Sequence, residues 1–167
     1  MTEKAALLHA IIENAIDGII TIDDRGIIES INPAACTLFG YTIEEVIGKN
    51  ISMLMPQPDS DRHDEYIARY QRTAEPHIIG KGRDVKGLRK DGSMFPFRLG
   101  VNEVKTAGRT IYAGFIHDLS KEKEAEAQIL HYASQLEKLV EERTNSLQQS
   151  VVELQSAKET VSKSLEK

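Results

Sequence analysis

The segment Gly18–Asn32 reads GIITIDDRGIIESIN and predicts two antiparallel β-strands joined by a tight turn. β-Branched residues recur on both sides of Asp23-Asp24-Arg25-Gly26, whose acidic residues and glycine are typical of a hairpin turn. Asn32-Pro33 ends the second strand and begins a helix, because proline in the first helical turn loses no hydrogen bond that the helix needs. The folded part of the chain is therefore expected to begin with a hairpin that leads into helices.

Helices are predicted between this hairpin and the middle of the chain. The segments between Pro33 and Asn50 are short and interrupted by glycine, so each is predicted as a short helix, and Thr42 with Glu45 has the spacing of a capping box. A longer helix is predicted from Asp59 to about Thr73, where the residue that precedes a proline is pushed out of helical geometry.

Three further strands are predicted up to Ser120. Asp91-Gly92 and Ala107-Gly108 separate them, and both carry the glycine that hairpin turns favour. Pro96 within the middle strand predicts a bulge or local irregularity. The order of elements predicts an α+β fold, in which a five-stranded antiparallel sheet has helices on one face and can hold a pocket between them.

The N-terminal residues 1–13 are predicted to form an amphipathic helix. Its apolar residues recur at helical spacing, and they include Leu7, Ile11 and Ile12. Such a stripe must pack against something, so we interpret this helix as a cap on the domain or as a dimer contact.

Residues 121–167 contain no glycine or proline and predict one long helix. The apolar stripe steps by four and three through Ile129, Ala133, Leu136 and Val140 and reaches Leu147, and it continues at a displaced register through Val151, Leu154, Val161 and Leu165. Arg143 interrupts this seam, and the two four-residue steps from Arg143 to Leu147 to Val151 form a stutter, where a supercoil unwinds locally. A parallel dimeric coiled coil is expected. The alternative is a charged helix that pairs only weakly or in crystals.

Composition limits the classes of function. The 167 residues carry a formal net charge of −5 without a cluster of Lys and Arg, so nucleic-acid binding is not expected. Cys36 is the single cysteine, which excludes an intrachain disulfide and a CxxC zinc site and fits a reducing cytoplasm. No apolar run approaches the roughly 18 residues that a membrane span needs, so no membrane contact is expected within this sequence.

His63 lies on the apolar stripe of the longer helix, with Tyr66, Ile67 and Tyr70 at helical spacing from it. An imidazole that points inward must find a partner, because burying an unpaired polar group costs on the order of a few kcal/mol. Two readings follow from the residues. The ring is either a structural histidine that bonds to a backbone carbonyl, or an axial ligand to haem iron facing a flat apolar cavity.

Several motifs together resemble the PAS sensor domain. They are Asn32-Pro33-Ala34-Ala35, Phe39-Gly40-Tyr41, Glu44-Glu45-Val46-Ile47-Gly48-Lys49-Asn50 and Arg89-Lys90-Asp91-Gly92. Asp118-Leu119-Ser120 is similar to the junction from which such domains begin a signalling helix. The resemblance implies a PAS fold over residues 14–120, preceded by the cap helix 1–13 and followed by the signalling helix 121–167.

Among PAS domains the chain is most similar to the haem-binding oxygen sensors of the FixL type. The similarity lies in Arg62-His63-Asp64, Tyr66-Ile67, Arg69-Tyr70, Pro76-His77-Ile78-Ile79-Gly80 and Gly82-Arg83. The resemblance implies a haem b site whose residues are His63, Tyr66, Ile67, Arg69, Tyr70, His77, Ile78, Arg83, Leu99 and Val101.

The same resemblance implies a role for each of the main site residues. His63 would be the iron ligand, Arg69 and His77 would lie near the haem propionates, and Arg83 would be the switch residue on the gas side. Ile78, Leu99 and Val101 match the apolar distal wall, although Val101 is smaller than the isoleucine expected there.

The function implied is that of a haem-based sensor of dioxygen, with CO and NO as further candidate ligands, in a homodimeric signal-transducing histidine kinase. No catalytic activity is expected of this chain, because His131 precedes Tyr132-Ala133-Ser134 instead of the acidic residue and proline of a phosphoacceptor, and no glycine-rich ATP-binding segment is present. The alternative is a haem-free PAS module that only dimerises or binds another small molecule. The pair His63 and Arg83 separates the two readings.

Overall fold

The computed structural model describes residues 2–73, 82–106 and 108–165, with side chains up to residue 69 in the first range. Its elements are α1 (Glu3–Glu13), β1 (Gly18–Ile22), β2 (Ile28–Ile31), α2 (Pro33–Phe39), α3 (Ile43–Val46), a 3-10 helix (Ile51–Leu54), α4 (Asp59–Thr73), β3 (Arg83–Leu88), β4 (Met94–Thr106), β5 (Arg109–Asp118) and α5 (Ser120–Leu165).

The strands form one antiparallel five-stranded sheet in the order β2-β1-β5-β4-β3. The last strand, β5, lies in the middle of the sheet, where it pairs with both β1 and β4. In this register Ile116 lies opposite Gly18 on one side and Leu99 on the other. The α+β architecture expected from the order of elements is therefore confirmed.

The turn of the first hairpin is held by Asp23. Its carboxylate accepts hydrogen bonds from the backbone N–H groups of Arg25 at 2.9 Å and Ile27 at 2.8 Å. Gly26 closes the turn with a left-handed φ of 81°, a conformation that glycine adopts without steric cost. The predicted turn is thus confirmed, and the local sequence explains it.

Asn32 fixes the start of α2. Its buried side-chain oxygen accepts from the N–H of Ala35 at 3.0 Å, which caps the helix, and from the N–H of Ile19 at 2.8 Å. Its amide donates to the carbonyl oxygens of Ile12 and Asp17. One side chain therefore joins α1, β1 and α2, and the helix start predicted at Asn32-Pro33 is confirmed. The capping box of Thr42 and Glu45 on α3 is also present.

Pro96 does not interrupt its strand, so the predicted irregularity was wrong. The pairing of β3 with β4 runs unbroken through Lys86 and Pro96, and the pairing of β4 with β5 ends one residue further, at Phe97 and Asp118. The carbonyl of Pro96 accepts from the N–H of Leu119. The nitrogen and the carbonyl of a strand residue point to the same side of the strand. The N–H that proline lacks would therefore point past the end of β5, so the sheet loses no hydrogen bond.

Aromatic rings fill the core between α2 and the sheet. Phe39 meets Phe95 edge to face at 5.2 Å between ring centroids, and Phe97 at 6.0 Å. Gly87 of β3 lies against all three rings, because a Cβ at this position would be 2.8 to 3.0 Å from a carbon of each. The close approach of β3 to the rings thus requires glycine.

Gly87→Ala is expected to destabilise the domain by about 1–3 kcal/mol, because the added methyl overpacks the ring cluster. Gly100→Ala is the matched control on β4, since its Cβ would be no closer than 4.0 Å to Phe115. It should change the free energy of unfolding by less than about 0.5 kcal/mol. Urea unfolding followed by circular dichroism measures both, and equal midpoints for the two variants would contradict the packing described.

The two terminal helices leave their apolar residues exposed. None of the residues of α1 or of the 46-residue α5 is buried. Leu7 and Ile11 on α1 are 61% and 57% exposed, and Leu136 and Leu147 on α5 are 61% and 66% exposed. The part of α5 from Glu122 onward is a structural unit of its own. The predicted long helix is confirmed, and its pairing stays a prediction.

Asp118 marks the start of α5. Its carboxylate accepts from the backbone N–H of Ser120 at 2.9 Å and from its hydroxyl at 2.6 Å. Strand β5 therefore passes into the helix through one hydrogen-bonded residue pair. Within the ranges that the structure describes, no helix combines the length and the apolar composition that crossing a bilayer requires.

Candidate functional site

Helix α4 presents His63 toward the interior of the domain. The side chain of His63 is 18% exposed, and Ile67, one turn further on, is half-buried. Tyr66 is 44% exposed and Arg69 is exposed, so they lie away from this buried side. Asp59 and Asp61 occupy the first turn of α4, where their negative charges stabilise the helix by interacting with the positive end of its dipole.

The Nδ1 atom of His63 is buried and has no hydrogen-bond partner among the residues that the structure describes. The Asp64 carboxylate approaches it to 3.9 Å, which is beyond hydrogen-bonding distance. Burial lowers the pKa of His63 below its ordinary value of 6.5, and the nearby charge of Asp64 opposes this shift only in part. The ring is therefore neutral at pH 7, which is the form that can ligate a metal.

The haem-free protein is expected to lose stability as the pH falls below about 6.5. Because the pKa of His63 is lowered in the folded state, the unfolded chain binds more protons in this range, and acid favours unfolding. His63→Gln removes this titration, so its free energy of unfolding should fall less than that of the wild type between about pH 7.5 and 5.5. Urea unfolding across this range measures the difference, and parallel curves for the two proteins would contradict it.

The register of the sheet places Arg83 on the same face as Leu99. Arg83 of β3 lies directly opposite Leu99 of β4, and Leu99 lies opposite the buried Ile116 of β5. Val101 follows two residues after Leu99 and so lies on this face as well. Leu99 and Val101 are half-buried and Arg83 is exposed. Arg83 thus lies on the edge strand, next to an apolar patch on the face of the sheet that packs on the helices.

The other predicted site residues are described in part or not at all. Tyr70 belongs to α4, but its side chain lies outside the described residues, as do His77 and Ile78 entirely. Their predicted contacts therefore stay predictions.

The sequence pattern gives no sign of the polar contact that His117 of β5 makes. Its Nδ1 lies 2.7 Å from a carboxylate oxygen of Asp17, which precedes β1, and both side chains are about half exposed. The two residues are separated by 100 positions, so no local pattern could reveal the pair.

His63 can serve as a ligand to an iron ion that is already held by a porphyrin ring. In the described ranges, no group of three or more His, Cys, Asp or Glu side chains could hold a bare metal ion. A neutral, buried imidazole whose Nδ1 has no partner among the described residues can supply the one protein ligand that haem iron needs. The residues that the structure describes therefore fit a haem.

The sheet order, the helices on its inner face and the strand that leads into a long helix define a PAS fold, and the family model for the PAS fold matches residues 6–119. The chain belongs to the PAS family. A PAS domain from Colwellia psychrerythraea has a TM-score of 0.60 and 20% identity, over 71% of this chain and 99% of that one, which supports the fold alone.

The curated relatives include two sensor proteins. The chain is 43% identical over 129 residues to the sensor protein FixL of Bradyrhizobium diazoefficiens, covering 77% of this chain and 26% of FixL. It is 33% identical over 111 residues to the oxygen sensor protein DosP of Escherichia coli, covering 66% of this chain and 14% of DosP. The chain is thus a FixL-type PAS sensor domain, and it spans about a quarter of the length of FixL.

Proposed function

We propose that this domain binds haem b through His63 and senses dioxygen, with CO and NO as further ligands, within a longer histidine kinase. The observation that carries the proposal is the buried imidazole of His63, whose Nδ1 has no hydrogen-bond partner among the described residues. The similarity to FixL and DosP supports it. Haem would supply an iron centre that binds diatomic gases reversibly.

Each residue of the proposed haem site has a defined role. His63 presents one ring nitrogen as the iron ligand, and Ile67, Leu99 and Val101 exclude water from the pocket. Exclusion of water strengthens any polar contact made inside it. Tyr70 and Ile78 complete the apolar surround, Tyr66 borders it from the exposed side of α4, and Arg69 and His77 pair with the propionates.

Arg83 discriminates between gases through its charge. A guanidinium donates a charge-assisted hydrogen bond, which stabilises a ligand with partial negative charge by about 1.5–3 kcal/mol. Dioxygen bound to a haem would carry such charge and carbon monoxide far less, so Arg83 would favour dioxygen. Its position opposite Leu99 in the sheet supports this role.

The signal passes from Arg83 along the sheet to α5. Strand β3 pairs with β4, β4 pairs with β5, and β5 leads into α5 at Asp118 and Ser120. A small shift of these strands would move the base of the helix, and the stutter at Arg143 offers two packings of similar energy. In this proposal residues 1–13 cap the domain or contact a second copy, residues 14–120 sense, and residues 121–167 form a cytoplasmic parallel dimer.

The visible spectrum of the purified protein tests this function. Protein reconstituted with haemin should show a Soret band, and the ferrous form should change its spectrum when oxygen is added and removed. A colourless protein that takes up no haemin would overturn the proposal and leave a haem-free PAS module. Equal crosslinking of α5 in oxygen-free and oxygen-loaded samples would count against the signalling step.

Leu136→Asp is expected to weaken the homodimer by at least about a hundredfold, because each copy loses a leucine worth about 1.5–3 kcal/mol of burial at the seam. Leu136 is 61% exposed in the single chain, so the substitution should leave the fold intact. Gln135→Asp is the matched control, since it adds the same charge beside the seam. Analytical ultracentrifugation measures the dissociation constant, and equal values for both variants would contradict dimerisation through this stripe.

A further inference from the structure

The side-chain amide of Asn50 joins three elements around the base of α4. Its oxygen accepts from the backbone N–H of Ser52 at 2.8 Å, which caps the 3-10 helix. Its nitrogen donates to the carboxylate of Asp64 on α4 at 3.1 Å and, more weakly, to the carbonyl of Arg25 in the first hairpin turn at 3.4 Å. The backbone of Asn50 also bridges to Ile27 next to that turn. One amide therefore links α4 to the hairpin.

Helix α4 rests directly on this turn. A Cβ at Gly26 would lie 3.2 Å from Cδ1 of Ile67 and 3.5 Å from a carboxylate oxygen of Asp64. Both residues belong to α4, one next to His63 and the other one helical turn after it. The contacts hold the helix directly after the histidine and one turn beyond it, so they set the depth and rotation of the backbone that carries the imidazole.

His63 depends on this support more than an ordinary metal ligand does. A ligating histidine is usually oriented by a hydrogen bond from its other ring nitrogen to a carboxylate or carbonyl. Nδ1 of His63 makes no such bond to the described residues, and the Asp64 carboxylate stops at 3.9 Å while it accepts from Asn50. The ring must therefore be positioned mainly through its backbone.

We propose that Asn50 is the positioning residue for the His63 ligand, and that it acts by tethering α4 to the first hairpin through Asp64. The role toward the ligand rests on the proposed haem function, whereas the tether itself does not. Without the tether, α4 can shift along the turn, and the imidazole then meets the iron at a changed distance and tilt.

Asn50→Asp breaks the tether selectively. The new carboxylate still accepts from Ser52 and so keeps the cap of the 3-10 helix. It cannot donate to Asp64, which it repels, and it also loses the weaker bond to the carbonyl of Arg25. Asp64→Asn is the charge control, because an asparagine oxygen at position 64 still accepts from Asn50. The double variant Asn50→Asp with Asp64→Asn restores the bond with donor and acceptor exchanged.

Haem affinity and the iron–histidine stretching frequency, measured by resonance Raman spectroscopy, report the position of the imidazole. Asn50→Asp should bind haem about tenfold more weakly or worse, with a shifted frequency, as expected for losing an outer partner of a metal ligand. Asp64→Asn and the double variant should both stay near the wild type. Wild-type affinity and frequency in Asn50→Asp, or failure of the exchanged pair to restore them, would overturn the proposal.

Amide hydrogen exchange of the haem-free protein separates the tether from the haem. Exchange along α4 should be faster in Asn50→Asp and should return to the wild-type rate in the double variant. A wild type that takes up no haemin would overturn the ligand role together with the proposed function, while this exchange pattern would still support the tether. Unchanged exchange in Asn50→Asp would overturn the tether.

Discussion

His63→Ala should lose haem binding by on the order of a hundredfold or more, because it removes the one protein ligand that the proposal assigns to the iron. The variant should still fold, since the group removed is a buried imidazole whose Nδ1 has no partner among the described residues. Titration with haemin, followed at the Soret band, measures the loss.

Two other histidines provide matched controls for this result. His9 on α1 and His131 on α5 are both exposed, so their alanine variants should titrate like the wild type. Free imidazole added to His63→Ala should restore part of the Soret band by occupying the vacated space. If His63→Ala takes up haemin with the wild-type affinity, another ligand holds the iron and the proposed site is wrong.

Arg83→Ala should weaken oxygen binding by roughly ten- to a hundredfold, since a charge-assisted hydrogen bond worth about 1.5–3 kcal/mol is lost. Affinity for carbon monoxide should change by less than about threefold, because this ligand carries little charge for the guanidinium to stabilise. Stopped-flow association and dissociation of both gases, measured on ferrous protein, give the two affinities.

Arg98→Ala is the control for this prediction. Arg98 lies on β4 next to Leu99, so it faces the opposite side of the sheet, where it pairs with Asp84 at 2.8 Å. It should leave both gas affinities near the wild type. Equal losses for oxygen and carbon monoxide in Arg83→Ala would mean that the residue shapes the pocket without discriminating by charge.

The features of the fold that depend on residues close in the sequence could be predicted from the sequence pattern. The first hairpin needs only Asp23 to bond its own turn and Gly26 to adopt a positive φ. The start of α2 needs only the cap from Asn32 to Ala35, three residues away. The inward orientation of His63 follows from helical spacing alone. Such contacts form over a few residues, so the sequence pattern contains them directly.

The wrong prediction of an irregularity at Pro96 shows what rules based on local sequence cannot decide. A proline is unfavourable in a strand only if its missing N–H faces a partner, and the length of β5 decides this. The local sequence around Pro96 carries no information about where the neighbouring strand ends. The same holds for the pair of Asp17 and His117, which the antiparallel pairing of β1 and β5 brings together.

By itself, the sequence determined the elements, the inward position of His63 on α4 and the long terminal helix, because periodicity and capping act within a few turns of the chain. Only the tertiary structure decided that Arg83 shares a face with Leu99 and that Asn50 reaches Asp64. Both depend on strand register and on where α4 rests upon the hairpin turn. The strand register and the position of α4 are set by packing between segments that are distant in the sequence. These contacts form only when the whole domain folds.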